Sequence, residues 1–201
     1  MSRSIQLFLI ASLTVLCSSV AFAGGNDDKP ANVVVHVRDY CDPASFNAAL
    51  NDPKACVRDT APGAITFSGF LAEVIADKSV GAWRFVPARV HHDDGVNFTL
   101  ENLGGETHTF TRVKKFGGGF VAPLNGASGN PIPAPECAKV VDGNLVPQPP
   151  GPNNIFLPAG TTMNGPHVGE DGAKFQCCIH PWMRITVNGD ETHGDHQLGG
   201  H

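Results

Sequence analysis

The sequence predicts an all-β domain with short helical insertions, built as an antiparallel sandwich or barrel. Its 201 residues are the length of one ordinary domain. It contains 23 glycines and 16 prolines, which favour many turns over long helices. Short runs of alternating or β-branched residues recur between these turn residues. Several short strands with this spacing are typical of sandwiches and barrels.

The first half of the chain predicts one strand and two short helices. Residues 32–38 are rich in valine and predict a strand. Asp42 followed by Pro43 is typical of an N-cap with proline at the first helical position, so a helix should run to about Leu50. A second short helix is predicted by apolar residues at helical spacing, namely Phe67, Phe70, Leu71, Val74 and Ile75.

From residue 83 onward the hydrophobic period changes to two. This pattern predicts strands at residues 83–87, 89–91, 95–102 and 107–113, and later at 154–157, 174–177 and 184–187. Residues 114–153 are rich in proline and glycine and predict a long insert with one small hairpin near residues 140–146.

The first 23 residues have the features of a secretory signal peptide. Arg3 supplies a positive charge, residues 5–16 form a short apolar run, and residues 21–23 read Ala-Phe-Ala, a cleavage pattern. An uncleaved membrane anchor is the alternative, although the run is short for a bilayer. We therefore expect an exported protein, periplasmic or secreted and not membrane-spanning, with one domain at residues 24–187 and a polar tail rich in histidine and acid at 188–201.

The net charge narrows the classes of binding partner, and the cysteine count indicates one cysteine outside any disulfide. The formal net charge is −5 and no basic block stands out, which argues against nucleic acid and anionic membrane surfaces. Five cysteines follow residue 23. In an oxidising compartment cysteines form disulfides unless they bind a metal or take part in a reaction. With five cysteines, one should therefore remain outside any disulfide and be available to bind a metal or to react.

One short stretch carries the pattern of a metal site. Cys177, His180 and Met183 follow one another at the spacing Cys-x2-His-x2-Met. Cys and Met favour cuprous copper, and imidazole binds either copper state. A second histidine from elsewhere would complete the set, and His108, at the start of a predicted strand after a glycine turn, is the candidate. Two His, one Cys and a weak axial Met form the ligand set of type-1 blue copper.

On these residues the chain resembles the cupredoxin family. The matched features are the opening strand, the glycine turn and strand that lead to the first histidine, and the Cys-His-Met loop. The loop spacing is similar to that of amicyanin and pseudoazurin, in which proline also follows the second histidine. The resemblance is best over residues 83–187. It implies a two-sheet Greek-key sandwich, one type-1 copper ion, and the ligands His108, Cys177, His180 and Met183.

Cys178 leaves an alternative open for the thiolate ligand. Adjacent residues on a strand point to opposite faces, so only one of Cys177 and Cys178 can reach a metal. The family spacing favours Cys177. We then pair Cys41 with Cys56, which flank the first helix, and this leaves Cys137 with Cys178. Four cysteines allow three pairings, and the sequence does not choose among them.

Two positions depart from the family pattern. Cupredoxins commonly have Asn after the first histidine and Ser or Thr after the cysteine, and the two side chains hydrogen-bond across the site. Here the positions hold Thr109 and Cys178, so this link cannot form in its usual way. The resemblance also implies that electrons pass through the exposed edge of His180, around which Pro181 and Trp182 would form an apolar rim.

The function implied is one-electron transfer with transient redox protein partners. The four ligands fill the ordinary coordination positions, so no position remains for a substrate, and we expect a carrier and not an enzyme. Two other classes stay open. One is a copper-binding or delivery protein whose tail acquires the metal. The other is an interaction module in which copper serves only for stability.

Overall fold

The computed structural model describes residues 29–58, 62–92 and 94–189. The predicted signal peptide and nearly all of the predicted tail lie outside these residues. The strands are β1 (Ala31–Arg38), β2 (Arg84–Val86), β3 (Arg89–His91), β4 (Val96–Asn102), β5 (His108–Val113), β6 (Ala138–Val141), β7 (Asn144–Pro147), β8 (Asn154–Leu157), β9 (Thr162–Val168), β10 (Ala173–Gln176) and β11 (Arg184–Asn188). The helices are α1 (Pro43–Leu50), α2 (Phe67–Asp77) and α3 (Ala122–Ala127). No helix in the described ranges is long and apolar enough to cross a membrane.

Two sheets form a sandwich, which confirms the predicted fold class. One sheet has the order β2-β1-β4-β9 and the other β3-β11-β10-β5-β8, while β6 and β7 form a separate hairpin. The expected antiparallel pairing holds for most neighbouring strands, but β1 pairs with β4 and β3 pairs with β11 in parallel. Parallel neighbours need a long connection. The chain supplies one between β1 and β4, where α1, α2, β2 and β3 intervene.

Aromatic rings fill the space between the sheets. Phe110 on β5 and Phe175 on β10 stack with ring centroids 4.4 Å apart. Phe98 on β4 meets both rings edge-on, at 5.5 and 5.7 Å. Such pairs add about 0.5–1.5 kcal/mol each beyond the area they bury. This packing fixes the two strands whose ends carry the site described below.

The helices α1 and α2 cover one end of the sandwich. The Asp42 side chain accepts a hydrogen bond from the Ser45 N–H and Pro43 begins α1, as predicted. Phe46 of α1 and Phe70 of α2 pack against the Trp83 ring, with centroids 5.8 and 4.9 Å away. The two helices therefore form an aromatic cover over the strand ends.

The sequence failed to predict two elements, β9 and α3. In β9, Gly165 and Pro166 interrupt the alternation that would have indicated a strand. The strand pairs only with β4, at the sheet edge, where proline is tolerated. Gly165 is needed there because an added Cβ would lie 2.6 Å from the Cβ of Phe98. The helix α3 is one six-residue turn within the insert, too short for a helical period to show.

Candidate metal centre

Three buried side chains converge at the end of the sandwich beneath the aromatic cover. The Cys177 Sγ lies 3.8 Å from the His108 Nδ1 and 3.9 Å from the His180 Nδ1. The three donor atoms lie within 4.8 Å of one another, and within the described ranges no other His/Cys/Asp/Glu group does so. One thiol and two imidazoles facing each other form a donor set that suits copper.

Local structure brings the downstream donors together. Cys177 follows the last residue of β10, and the chain then turns back into β11. The Cys177 N–H donates to the Met183 carbonyl at 3.0 Å, and the Met183 N–H donates to the His180 carbonyl at 2.9 Å. The loop therefore closes on itself with the Met183 side chain buried. His108 is the first residue of β5, which pairs with β10, and this pairing brings the distant histidine to the loop.

Backbone donors also face the sulfur atom. The N–H groups of Thr109 and His180 lie 3.4 and 3.5 Å from the Cys177 Sγ. Burial alone would raise the pKa of this thiol, but hydrogen bonds and positive charge from His108 and His180 hold the pKa well below its usual value. This direction favours the thiolate, which is the form that binds metals.

Behind His108 lies a buried carboxylate that the sequence did not indicate. The Asp39 Oδ2 accepts a hydrogen bond from the His108 Nε2 at 2.9 Å, and both side chains are fully buried. Burial would raise the pKa of Asp39, yet the bond and charge of His108 lower it. Burial would likewise lower the pKa of His108, whereas Asp39 and Cys177 raise it to about 10. Asp39, His108 and Cys177 therefore shift one another's pKa values within one buried group.

The loop before His108 is shaped around the same carboxylate. Asp39 accepts further hydrogen bonds from the backbone N–H groups of Cys41, Gly105 and Glu106. Gly104 is required here because an added Cβ would overlap the Asp39 carboxylate. Asn102 secures the loop from the other side by donating to the carbonyls of Glu106 and Leu157.

His180 has a different setting, made mostly of aromatic rings. The rings of Phe70, Trp83 and Trp182 surround its imidazole at centroid distances of 6.0, 6.3 and 5.5 Å. The Glu106 Oε2 lies 3.6 Å from the His180 Nε2 and accepts a hydrogen bond from the Trp83 indole N–H. Burial raises the pKa of Glu106, against the opposing influence of both histidines.

The expected exposed edge of His180 is not present. His180 is only 2% exposed and Pro181 is buried, because α2 and Trp83 pack over the loop. Trp182 is half-buried and packs on both His180 and Phe70. Pro181 and Trp182 therefore do not form a rim around an exposed imidazole, and Trp182 is the partly exposed aromatic residue next to it.

The predicted insert is joined to the ligand loop. The structure contains the disulfides Cys41–Cys56 and Cys137–Cys178, and Cys177 is the free cysteine of the described residues. The second bond links the insert directly to the residue after Cys177. An added Cβ on Gly119 would overlap the Cys178 carbonyl, so insert and loop are in close contact.

The positions that depart from the family pattern still bond to each other. The Thr109 hydroxyl oxygen accepts a hydrogen bond from the Cys178 backbone N–H at 2.7 Å. The bond joins the strand of His108 to the loop of Cys177. Outer bonds of this kind orient ligands.

No family model matches the sequence. No curated protein matches it. Among solved structures, a purple cupredoxin from Nitrosopumilus maritimus is similar at 17% identity with a TM-score of 0.33, over 55% of this chain and 86% of that one. A reduced amicyanin variant is similar at 16% identity with a TM-score of 0.29, over 60% and 89%. Fet3p, a multicopper oxidase that functions in iron import, is similar at 13% identity with a TM-score of 0.23, over 90% and 38%.

Proposed function

We propose that this protein binds one copper ion in a type-1 site and carries single electrons. The observation that carries the proposal is the buried convergence of one thiol and two imidazole Nδ1 atoms. His108, Cys177 and His180 would hold the ion, and Met183 would be the weak axial ligand of a loop similar to that of amicyanin and pseudoazurin. Copper would supply one-electron chemistry, and the protein would fix the geometry for both oxidation states.

A carrier suits this arrangement better than an enzyme does. The histidines and the cysteine are at most 2% exposed, and aromatic rings cover the side of His180. With Met183 as fourth ligand no position is left for a substrate, unlike a catalytic metal site. Electrons would reach transient redox partners through Trp182, the half-buried ring that packs on His180. Such encounters use small interfaces.

We further propose that the chain is exported and works in the periplasm or outside the cell. The signal-peptide pattern of residues 1–23 supports this. The two disulfides support it as well, since such bonds persist in oxidising compartments.

Voltammetry of the copper-loaded protein tests the proposal. A reversible one-electron wave, absent from Cys177→Ser loaded in the same way, is the expected result. Copper bound without a reversible wave would contradict electron transfer.

A copper-delivery protein is the second candidate, favoured by the sequence of the tail. His193, His196 and His201 lie among acidic residues there and could collect copper. Deleting residues 190–201, beyond the end of β11, would slow copper transfer if delivery is the function. An electron carrier would keep its potential and its electron-exchange rate after the same deletion.

A further inference from the structure

A buried carboxylate lies behind each of the two histidines, on the side away from the cysteine. Asp39 meets the Nε2 of His108 at 2.9 Å, and Glu106 lies 3.6 Å from the Nε2 of His180. In both rings it is the Nδ1 that faces the Cys177 Sγ. The two imidazoles are therefore oriented alike by acids that come from different parts of the chain.

We infer that Asp39 and Glu106 are positioning residues that present the two Nδ1 atoms to the metal and favour its higher oxidation state. The inference rests on the proposed copper site. The Asp39 carboxylate accepts from the His108 Nε2–H, which holds the proton on that nitrogen and leaves Nδ1 free to bind. Glu106 lies 3.6 Å from the His180 Nε2, beyond hydrogen-bond distance, and favours the same arrangement through its charge. The same contact makes the imidazole a stronger donor, which stabilises Cu(II) more than Cu(I).

The surroundings of Asp39 hold its carboxylate in one orientation. Its carboxylate accepts from three backbone N–H groups besides the imidazole, so it cannot rotate away from His108. Gly104 leaves space for the carboxylate that a larger residue would fill. An amide at this position would turn an NH2 group towards N–H donors, so Asp39→Asn disturbs the bonds while keeping the shape.

Glu106 is fixed less tightly and offers a milder variant. Its Oε2 accepts from the Trp83 indole N–H, and the residue is 8% exposed. In Glu106→Gln the side-chain carbonyl still accepts from Trp83, so the fold should be retained. The variant removes only the negative charge and the basicity that faces His180.

The chain provides a matched control in Glu101. Its carboxylate lies 3.2 Å from the Nδ1 of His36, where both side chains are about a third exposed. The pair joins β1 to β4 and belongs to the same chemical type, but His36 is not among the converging donors. Glu101→Gln therefore reports what the loss of any carboxylate–imidazole contact does to the protein.

The test measures metal affinity, the Cu(II) EPR spectrum and the reduction potential of the full mature chain and these variants. Asp39→Asn should lose about 10- to 100-fold in Cu(II) and Zn(II) affinity. It should also favour Cu(I) over Cu(II) by about tenfold, a rise in potential of ~59 mV for one electron. Glu106→Gln should change the EPR spectrum and raise the potential as Asp39→Asn does, but by a smaller amount. Glu101→Gln should match the wild type in both measurements.

Unchanged affinity, spectrum and potential in Asp39→Asn and Glu106→Gln would overturn the inference, even if both lose thermal stability. If Asp39→Asn does not fold, Glu106→Gln decides the question alone. The Zn(II) measurements need no redox chemistry. A wild type without a reversible potential would therefore defeat the proposed function, while the Zn(II) affinities would still decide whether the acids position the histidines.

Discussion

The two histidines of the candidate metal centre are held in place by opposite means. His108 is fixed by hydrogen bonding, because the Asp39 carboxylate bonds to its ring and to three backbone N–H groups around it. His180 is fixed mainly by packing, because Phe70, Trp83 and Trp182 surround its ring. The aromatic rings around His180 exclude water, and the Asp39 carboxylate sets the orientation of the His108 imidazole. In a buried metal site the two features complement each other, because packing keeps water away from the ligand atoms and hydrogen bonding orients them.

The largest expected effect is on the polar side. Asp39→Ala leaves an imidazole and three backbone donors without their acceptor in the interior. Breaking a buried charged pair costs about 3–5 kcal/mol, so the free energy of unfolding should fall by roughly that amount in urea titrations. Glu101→Ala, which breaks a part-exposed pair, should cost about 1 kcal/mol or less. Equal losses in the two variants would show that burial adds nothing to the Asp39–His108 pair, and would contradict the view that this pair holds the polar side together.

An intermediate effect is expected on the aromatic side. Trp83→Phe keeps a ring in the cover but removes the indole N–H that bonds to Glu106. A buried acceptor left without its donor costs about 1–3 kcal/mol. Trp182→Phe is the control, since the Trp182 indole N–H has no hydrogen-bond partner in the described part of the chain. Equal falls in unfolding free energy for both variants would show that only ring packing matters there.

The smallest effect concerns the helix that supports the aromatic cover. Asp42 caps α1, and the bonds to Ser45 lower the pKa of its carboxyl below 3.8. The charged cap therefore stabilises the fold above pH 3.8, and this contribution is lost as the pH falls through the lowered pKa. Asp42→Asn retains a cap without the charge. The small difference in Tm between wild type and variant at pH 6 should shrink as the pH falls below 3.8, and a constant difference would contradict the assignment.

The sequence could predict those parts of the site whose residues lie close together along the chain. Cys177, His180 and Met183 lie within seven residues, so their spacing alone indicates a metal loop. The strands at residues 89–91 and 154–157 were predicted with their exact bounds because turn residues flank them. His108 lies 69 positions from Cys177, so its place at the start of a strand after a glycine turn made it only a candidate, and the family resemblance implied its role as a ligand.

The carboxylates behind the histidines could not be predicted. Asp39 lies 69 residues before His108, directly after a predicted strand. No motif in the neighbouring sequence indicates that its side chain contacts a histidine. One signal was available in retrospect: Gly104 and Gly105 stand just before His108, and adjacent glycines indicate a close approach by another part of the chain. The burial of His180 was missed for a similar reason, because it depends on how α2 packs over a loop more than a hundred residues away.

In the proposed function, Cys177 holds a copper ion through its thiolate, together with His108 and His180. Adding Cu(II) to the mature protein and recording the visible absorption tests this most directly, with Cys177→Ser beside it. We expect an intense thiolate-to-copper charge-transfer band in the wild type that is lost in the variant. A protein that binds Cu(II) without that band, or keeps the band in Cys177→Ser, would contradict it.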